Sequence, residues 1–98
     1  MQIQAGTVSY GYGTSGWTLN IGSGARSFTT PDITFPTAFS TPPTMIVALY
    51  GVDAGNSANL RLTVATADIE ASEFNVVFNT WADSVIYTVW VSWIAFTP

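Results

Sequence analysis

Runs of β-branched and aromatic residues recur along the chain, separated by clusters of Gly, Pro, Asn, Asp and Ser, and none of them suggests a helix. The runs predict strands at residues 3–10, 28–35, 45–50, 60–68, 73–81 and 85–96. Six strands in 98 residues suggest an all-β sandwich. The last run is apolar on both sides. Laid out with the two-residue period of a strand, Val85, Tyr87, Val89, Val91, Trp93 and Ala95 share one face, and Ile86, Thr88, Trp90, Ser92, Ile94 and Phe96 share the other. A small antiparallel sheet normally buries one face and wets the other. A strand with two apolar faces therefore predicts a partner on its second face, another copy of the same chain.

Composition points the same way. The chain is 48% hydrophobic and 8% charged, against about 25% charged in an ordinary soluble domain, which is too little charge to cover a free monomer. Residues 1–98 are expected to form one domain, able to bury roughly two thirds of the unfolded surface. Asn, Thr, Ser or Asp interrupts every apolar run before a membrane helix could form, so no membrane insertion is expected. MQIQAGTVSY lacks the basic start and apolar middle of a signal peptide, and no compartment is assigned. With no cysteine, stability rests on packing and assembly. The absence of histidine removes the usual general base and the commonest transition-metal ligand; no cofactor and no metal are expected. Lysine is also absent, so Arg26 and Arg61 are the only basic side chains, and a net charge of −4 disfavours nucleic acid.

Between the first two strands, GYGTSGWTLNIGSGARS is a long connection with one large aromatic, Trp17, which either lines a groove or anchors the loop on the domain; Tyr10 and Tyr12 are read as anchors of the loop. Pro36, Pro42 and Pro43 stop pairing before the third strand. In residues 60–64, Leu60, Leu62 and Val64 share the core-facing parity, so Arg61 points outward; Phe74, Val76 and Phe78 are inward, which turns Trp81 outward. Arginine offers forked donors to vicinal hydroxyls, and indole offers a flat apolar surface to the C–H face of a sugar. The same residues have plainer readings: Arg61 as an ion-pair partner of Asp53 or Asp83, and Trp81 as interface packing. Asp53 is read as an Asx-type turn residue, and Asp68, Glu70 and Glu73 as solvated turn residues rather than a glycosidase acid pair.

With these residues in view, the chain resembles the H-type lectin domain from end to end. The resemblance rests on Gln4-Ala5-Gly6, Gly16-Trp17, Ile33-Thr34-Phe35 leading to Pro42-Pro43, Val52-Asp53, and Asn59-Leu60-Arg61. It is strongest in Glu73-Phe74, Thr80-Trp81, Ile86-Tyr87 and Val91-Ser92-Trp93-Ile94-Ala95. It implies a six-stranded antiparallel β-sandwich that assembles as a homotrimer. It also implies galactose-type sugars, especially N-acetylgalactosamine, bound in clefts between chains. In that family the residue matching Arg61 binds sugar hydroxyls, the one matching Trp81 forms the apolar wall, and the one matching Tyr87 lines the cleft.

Two positions depart from the family. The loop that usually supplies an aspartate reads Gly22-Ser23-Gly24-Ala25, and Ala82 stands where the snail proteins have histidine. Ser23, the Gly24 backbone and Asp83 are expected to substitute. The expectation is a non-enzymatic, multivalent glycan-binding and agglutinating trimer. The alternative is a structural or adhesion trimerisation module of the same fold without sugar binding, and a glycosidase is the third class.

Overall fold

A computed structural model describes residues 1–98. Seven strands form, and no helix: β1 (Gln2–Gly11), β2 (Arg26–Thr29), β3 (Ile33–Thr34), β4 (Thr44–Ala54), β5 (Thr63–Ala67), β6 (Glu73–Thr80) and β7 (Ile86–Thr97). All pairing is antiparallel. One sheet has the order β1-β7-β4; in the other, β6 is central, with β5 on one edge and β2 followed by β3 on the other.

The seventh strand corrects the single strand expected over 28–35. Pro31 has no N–H to give to a ladder, and the register with β6 slips by one residue there, from Thr29 opposite Val77 to Ile33 opposite Phe74. The break is bridged by Thr30, whose N–H donates to Val76 O at 2.9 Å while its hydroxyl accepts from Val76 N at 3.0 Å.

The inward parity of β6 holds, with Phe74, Val76 and Phe78 fully buried. They meet Val89, Val91, Trp93 and Ala95 of β7. Aromatic rings dominate each end of this core: Trp17, Phe28 and Phe78 at one, with Trp17 and Phe28 centroids 5.2 Å apart, and Phe35, Phe39, Phe74 and Trp93 at the other. Trp17 and Leu19 are buried, so the long β1–β2 connection is plugged into the core at two points. The Trp17 indole N–H also donates to Ile86 O at 3.0 Å. Anchoring is therefore the role of Trp17.

Three local expectations are corrected. Leu60 is exposed, because β5 starts only at Thr63 and strand parity does not govern residues 60–62. Asp53 lies within β4 instead of a turn. In β7 the simple alternation fails at Tyr87: Asp53 pairs with Thr88 but Ala54 pairs with Ile86, leaving Tyr87 as the extra residue of a bulge. Ile86 is thereby buried and Tyr87 turned out. A second bulge leaves Tyr50 unpaired between Leu49 and Gly51 of β4.

Outside the bulges, the outer face of the β1-β7-β4 sheet is mostly apolar over the rows nearest the chain ends. Successive cross-strand rows read Ile3, Phe96 and Thr44, then Ala5, Ile94 and Ile46, then Thr7, Ser92 and Ala48. Ile3, Ile46, Ile94 and Tyr50 are exposed in the single chain.

The molecule is elongated, 46 × 21 × 19 Å. The β1–β2, β4–β5 and β6–β7 connections lie at one pole. The β3–β4 and β5–β6 connections lie at the other, as do both chain ends, Gln2 being paired with Thr97.

At that second pole Glu73 lies beside Asp32. A hydrogen bond shared with Asp32, reinforced by repulsion between the two carboxylates, holds the Glu73 carboxyl above its ordinary range. The folded state therefore favours the protonated form. This contribution is fully present below the ordinary carboxyl range and is lost as pH rises through the raised value. Melting temperature should rise on acidification from pH 7 through that range, and Asp32→Asn should flatten this part of the profile in thermal unfolding.

Candidate functional site

At the loop pole the chain's only two cations meet around one tight turn. The turn spans Trp81 to Ser84, closed by Ser84 N donating to Trp81 O at 3.4 Å, and it needs a left-handed residue, Ala82, with φ of 56°. An L-residue in that region carries about 1–2 kcal/mol of strain. Surrounding bonds must over-determine it.

Arg26, at the start of β2, does so with every N–H it has. Its Nε donates to Gly24 O at 3.1 Å, and its Nη1 to Leu19 O at 3.3 Å and Ile21 O at 3.1 Å. Its Nη2 donates to Ala82 O and Ser84 O, both at 2.9 Å. One planar guanidinium thus ties the β1–β2 loop to the β6–β7 turn. Gly24 N adds a direct bond to Ala82 O at 2.9 Å. With φ of +80°, Gly24 holds a conformation that a side chain would strain.

Arg61 closes the turn from its other side. Its Nη1 donates to Asp83 Oδ1 at 2.8 Å and to Ser84 Oγ at 3.2 Å. Ser84, fully buried, passes its own hydroxyl proton to Asn59 O at 2.5 Å. Thr80 Oγ1 donates to Arg61 O at 2.6 Å, fixing the backbone below the guanidinium. The Arg61 and Asp83 side chains are 26% and 72% exposed, and at that exposure the ion pair contributes at most about 1 kcal/mol. Its effect is on orientation. Nη1 is committed, whereas Nε and Nη2 make no hydrogen bond within the chain, and neither does Asp83 Oδ2. Free donors and a free acceptor therefore stand side by side.

Trp81 opens the same turn, its carbonyl accepting from Ser84 N. Thr80, which holds the Arg61 backbone through its hydroxyl, is the residue directly before Trp81. The indole, 44% exposed, borders a recess of about 230 Å³ lined by Ala25, Arg26, Ser27, Asn79 and Thr80. The turn thus carries an apolar wall at Trp81 and, on its other side, the forked donors of Arg61 with the Asp83 carboxylate, groups whose chemistry suits a neutral polyhydroxyl ligand with one apolar face.

Of the expected site residues, Arg61, Trp81, Asp83 and Gly24 are joined by this network, and Ser23 lies exposed in the same loop. Tyr87 is at the same pole but pairs with Tyr12, ring centroids 6.2 Å apart at 86°. Arg61 takes the ion-pair partner Asp83, one of the two weighed from the sequence. Sequence reading assigned nothing to Arg26, Ser84 or Asn79. The nearest signal was that Arg26 is one of only two cations, placed directly after a Gly-rich loop. The acids once weighed as a glycosidase pair, Asp68, Glu70 and Glu73, lie around the β5–β6 connection, away from this pole.

Arg26→Lys should lower stability by about 1–3 kcal/mol in urea unfolding, since one ammonium cannot serve five spread carbonyls.

Comparison with known proteins gives this pole its context. Two structures of discoidin II from Dictyostelium discoideum, one recombinant and one wild-type, superpose with a TM-score of 0.82 at 26% identity, covering 96% of this chain. This chain spans 36% and 35% of their lengths. A fragment of the P. aeruginosa R1 pyocin fibre shares the fold, with a TM-score of 0.53 at 21% identity over 96% of this chain and 23% of the fibre chain. In sequence, the ATP synthase subunits region ORF 7 protein of Fuscovulum blasticum is 34% identical over 79 residues, 81% of this chain and 65% of that protein. The chain thus spans just under two thirds of that relative. The family model of the H-type lectin domain matches residues 30–96, which include β3 to β6 and all of β7 but Thr97, with Arg61, Trp81, Asp83 and Tyr87. By that match, on a discoidin-like all-β fold, the chain belongs to the H-type lectin domain family.

Proposed function

We propose that this protein is a non-enzymatic lectin that binds terminal galactose-type sugars, N-acetylgalactosamine or galactose, at clefts between the subunits of a homotrimer. The observation that carries this reading is the fixed Arg61 guanidinium, with Nε and Nη2 uncommitted, braced on the turn that the exposed Trp81 opens. In the proposed complex these nitrogens donate to vicinal ring hydroxyls, and the indole packs on the apolar sugar face. Asp83 Oδ2 and the Ser23 to Gly24 segment supply acceptors in place of the absent loop aspartate. Tyr87 lines the cleft.

Assembly is supported by the apolar outer face of the β1-β7-β4 sheet. Ile3, Ile94 and Ile46, in two adjacent rows, form an exposed apolar surface on a chain with 8% charged residues. Closed threefold symmetry would present three equal sites on one body, and simultaneous engagement multiplies a weak single-site affinity. Agglutination of glycan-coated surfaces follows from that geometry.

The reading without sugar recognition draws on one feature: no carboxylate stands in Gly22-Ser23-Gly24-Ala25. Titration calorimetry and thermal shift with N-acetylgalactosamine and galactose separate the two. The lectin reading expects saturable binding and a raised melting temperature, with Arg61→Ala about 10- to 100-fold weaker, the equivalent of losing charge-assisted hydrogen bonds. Silence across a panel of sugars would leave the trimerisation module. Light scattering in dilute buffer should report about three chain masses, and a monodisperse monomer would contradict the shared clefts.

A further inference from the structure

We infer that the recess beside Tyr12 is a second saccharide subsite, which takes the sugar unit joined to the one held at Arg61 and Trp81; the inference rests on the lectin reading above. Tyr12 is 69% exposed, yet its backbone is pinned. Its N–H donates to Tyr87 O at 2.8 Å. The residue before it is closed into a turn in which Thr14 N donates to Gly11 O at 2.7 Å and Gly11 N to Thr14 Oγ1 at 3.1 Å. Gly11 is obligatory there, because a Cβ would lie 2.5 Å from Tyr87 O and 2.7 Å from Thr88 Oγ1. A large aromatic ring is thus presented to solvent from a rigid base, so little ordering entropy remains to be lost when a ligand packs on it.

The adjoining recess, about 360 Å³, is bordered by Ser9, Tyr10, Tyr12, Thr14 and Thr88 with the backbone of Gly11 and Gly13. Its lining holds hydroxyls and aromatic rings and no charged group. That chemistry matches an uncharged sugar, with hydroxyls for hydrogen bonding and C–H bonds for the ring face, and offers nothing to a phosphate or a charged peptide. Its link to the first site is Tyr87, which stands perpendicular to Tyr12 at 6.2 Å and lines the cleft in the lectin reading above. A glycan whose terminal unit reaches Tyr87 is therefore led to Tyr12 by its next unit.

Calorimetry on the full chain, Tyr12→Ala and Tyr12→Phe, with N-acetylgalactosamine and with neutral di- and trisaccharides ending in it, tests this. The parent should bind the longer glycans about five- to tenfold more tightly than the monosaccharide. Tyr12→Ala should lose that gain, keep monosaccharide affinity within about twofold and melt at the parental temperature, while Tyr12→Phe retains the gain. A parent indifferent to glycan length, or a Tyr12→Ala variant weakened equally for both ligands, overturns the second subsite and leaves the first standing. A parent that binds none of these sugars overturns both.

Discussion

The structure at the loop pole depends on how two guanidinium groups share one turn. A chain with no lysine and no histidine places both of its cations around residues 81–84, one on each side. Arg26 is spent entirely on carbonyl oxygens and is therefore an internal cross-brace. Arg61 is spent by one nitrogen only and keeps the rest of its fork outward. The two similar residues differ in what they can still offer because of what is left unsatisfied after folding. The strained Ala82 is held at the point where the brace grips, which fits the rule that sparsely populated backbone conformations persist where neighbouring bonds dictate them.

The sandwich supplies the frame. Antiparallel pairing puts the ends of β1, β4 and β6 together with the starts of β2, β5 and β7, so three connections distant in sequence converge without a dedicated subdomain. Trp17 and Leu19 plug the longest of them into the core, and the bulge at Tyr87 swings that phenol from the inward parity to the surface. Both devices belong to the scaffold, yet they decide which groups this pole presents at its surface.

Much of this was readable from residue order. Long runs with two-residue alternation identified β1, β4, β6 and β7, because a period of two on a half-buried sheet leaves a plain trace. The outward turn of Trp81 followed from Phe74, Val76 and Phe78, and the apolar second face of β7 followed from Ile94 and Phe96. Features set by hydrogen bonding between distant segments were hidden. Nothing local announces that Arg26 reaches Ala82 and Ser84, 56 and 58 residues away. Bulges erase the parity that identifies faces, so Tyr87 and Ile86 were exchanged. Pro31 carried a visible signal for the break between β2 and β3, since a residue without an N–H cannot continue a ladder.

The pairing of Gln2 with Thr97 has a practical consequence. Amino and carboxyl ends leave the body side by side, at the pole farthest from Trp81 and Arg61 along the 46 Å axis. Any tether, tag or solid support attached through either end would hold the molecule like a post, with the loops around residues 81–84 uppermost and unobstructed.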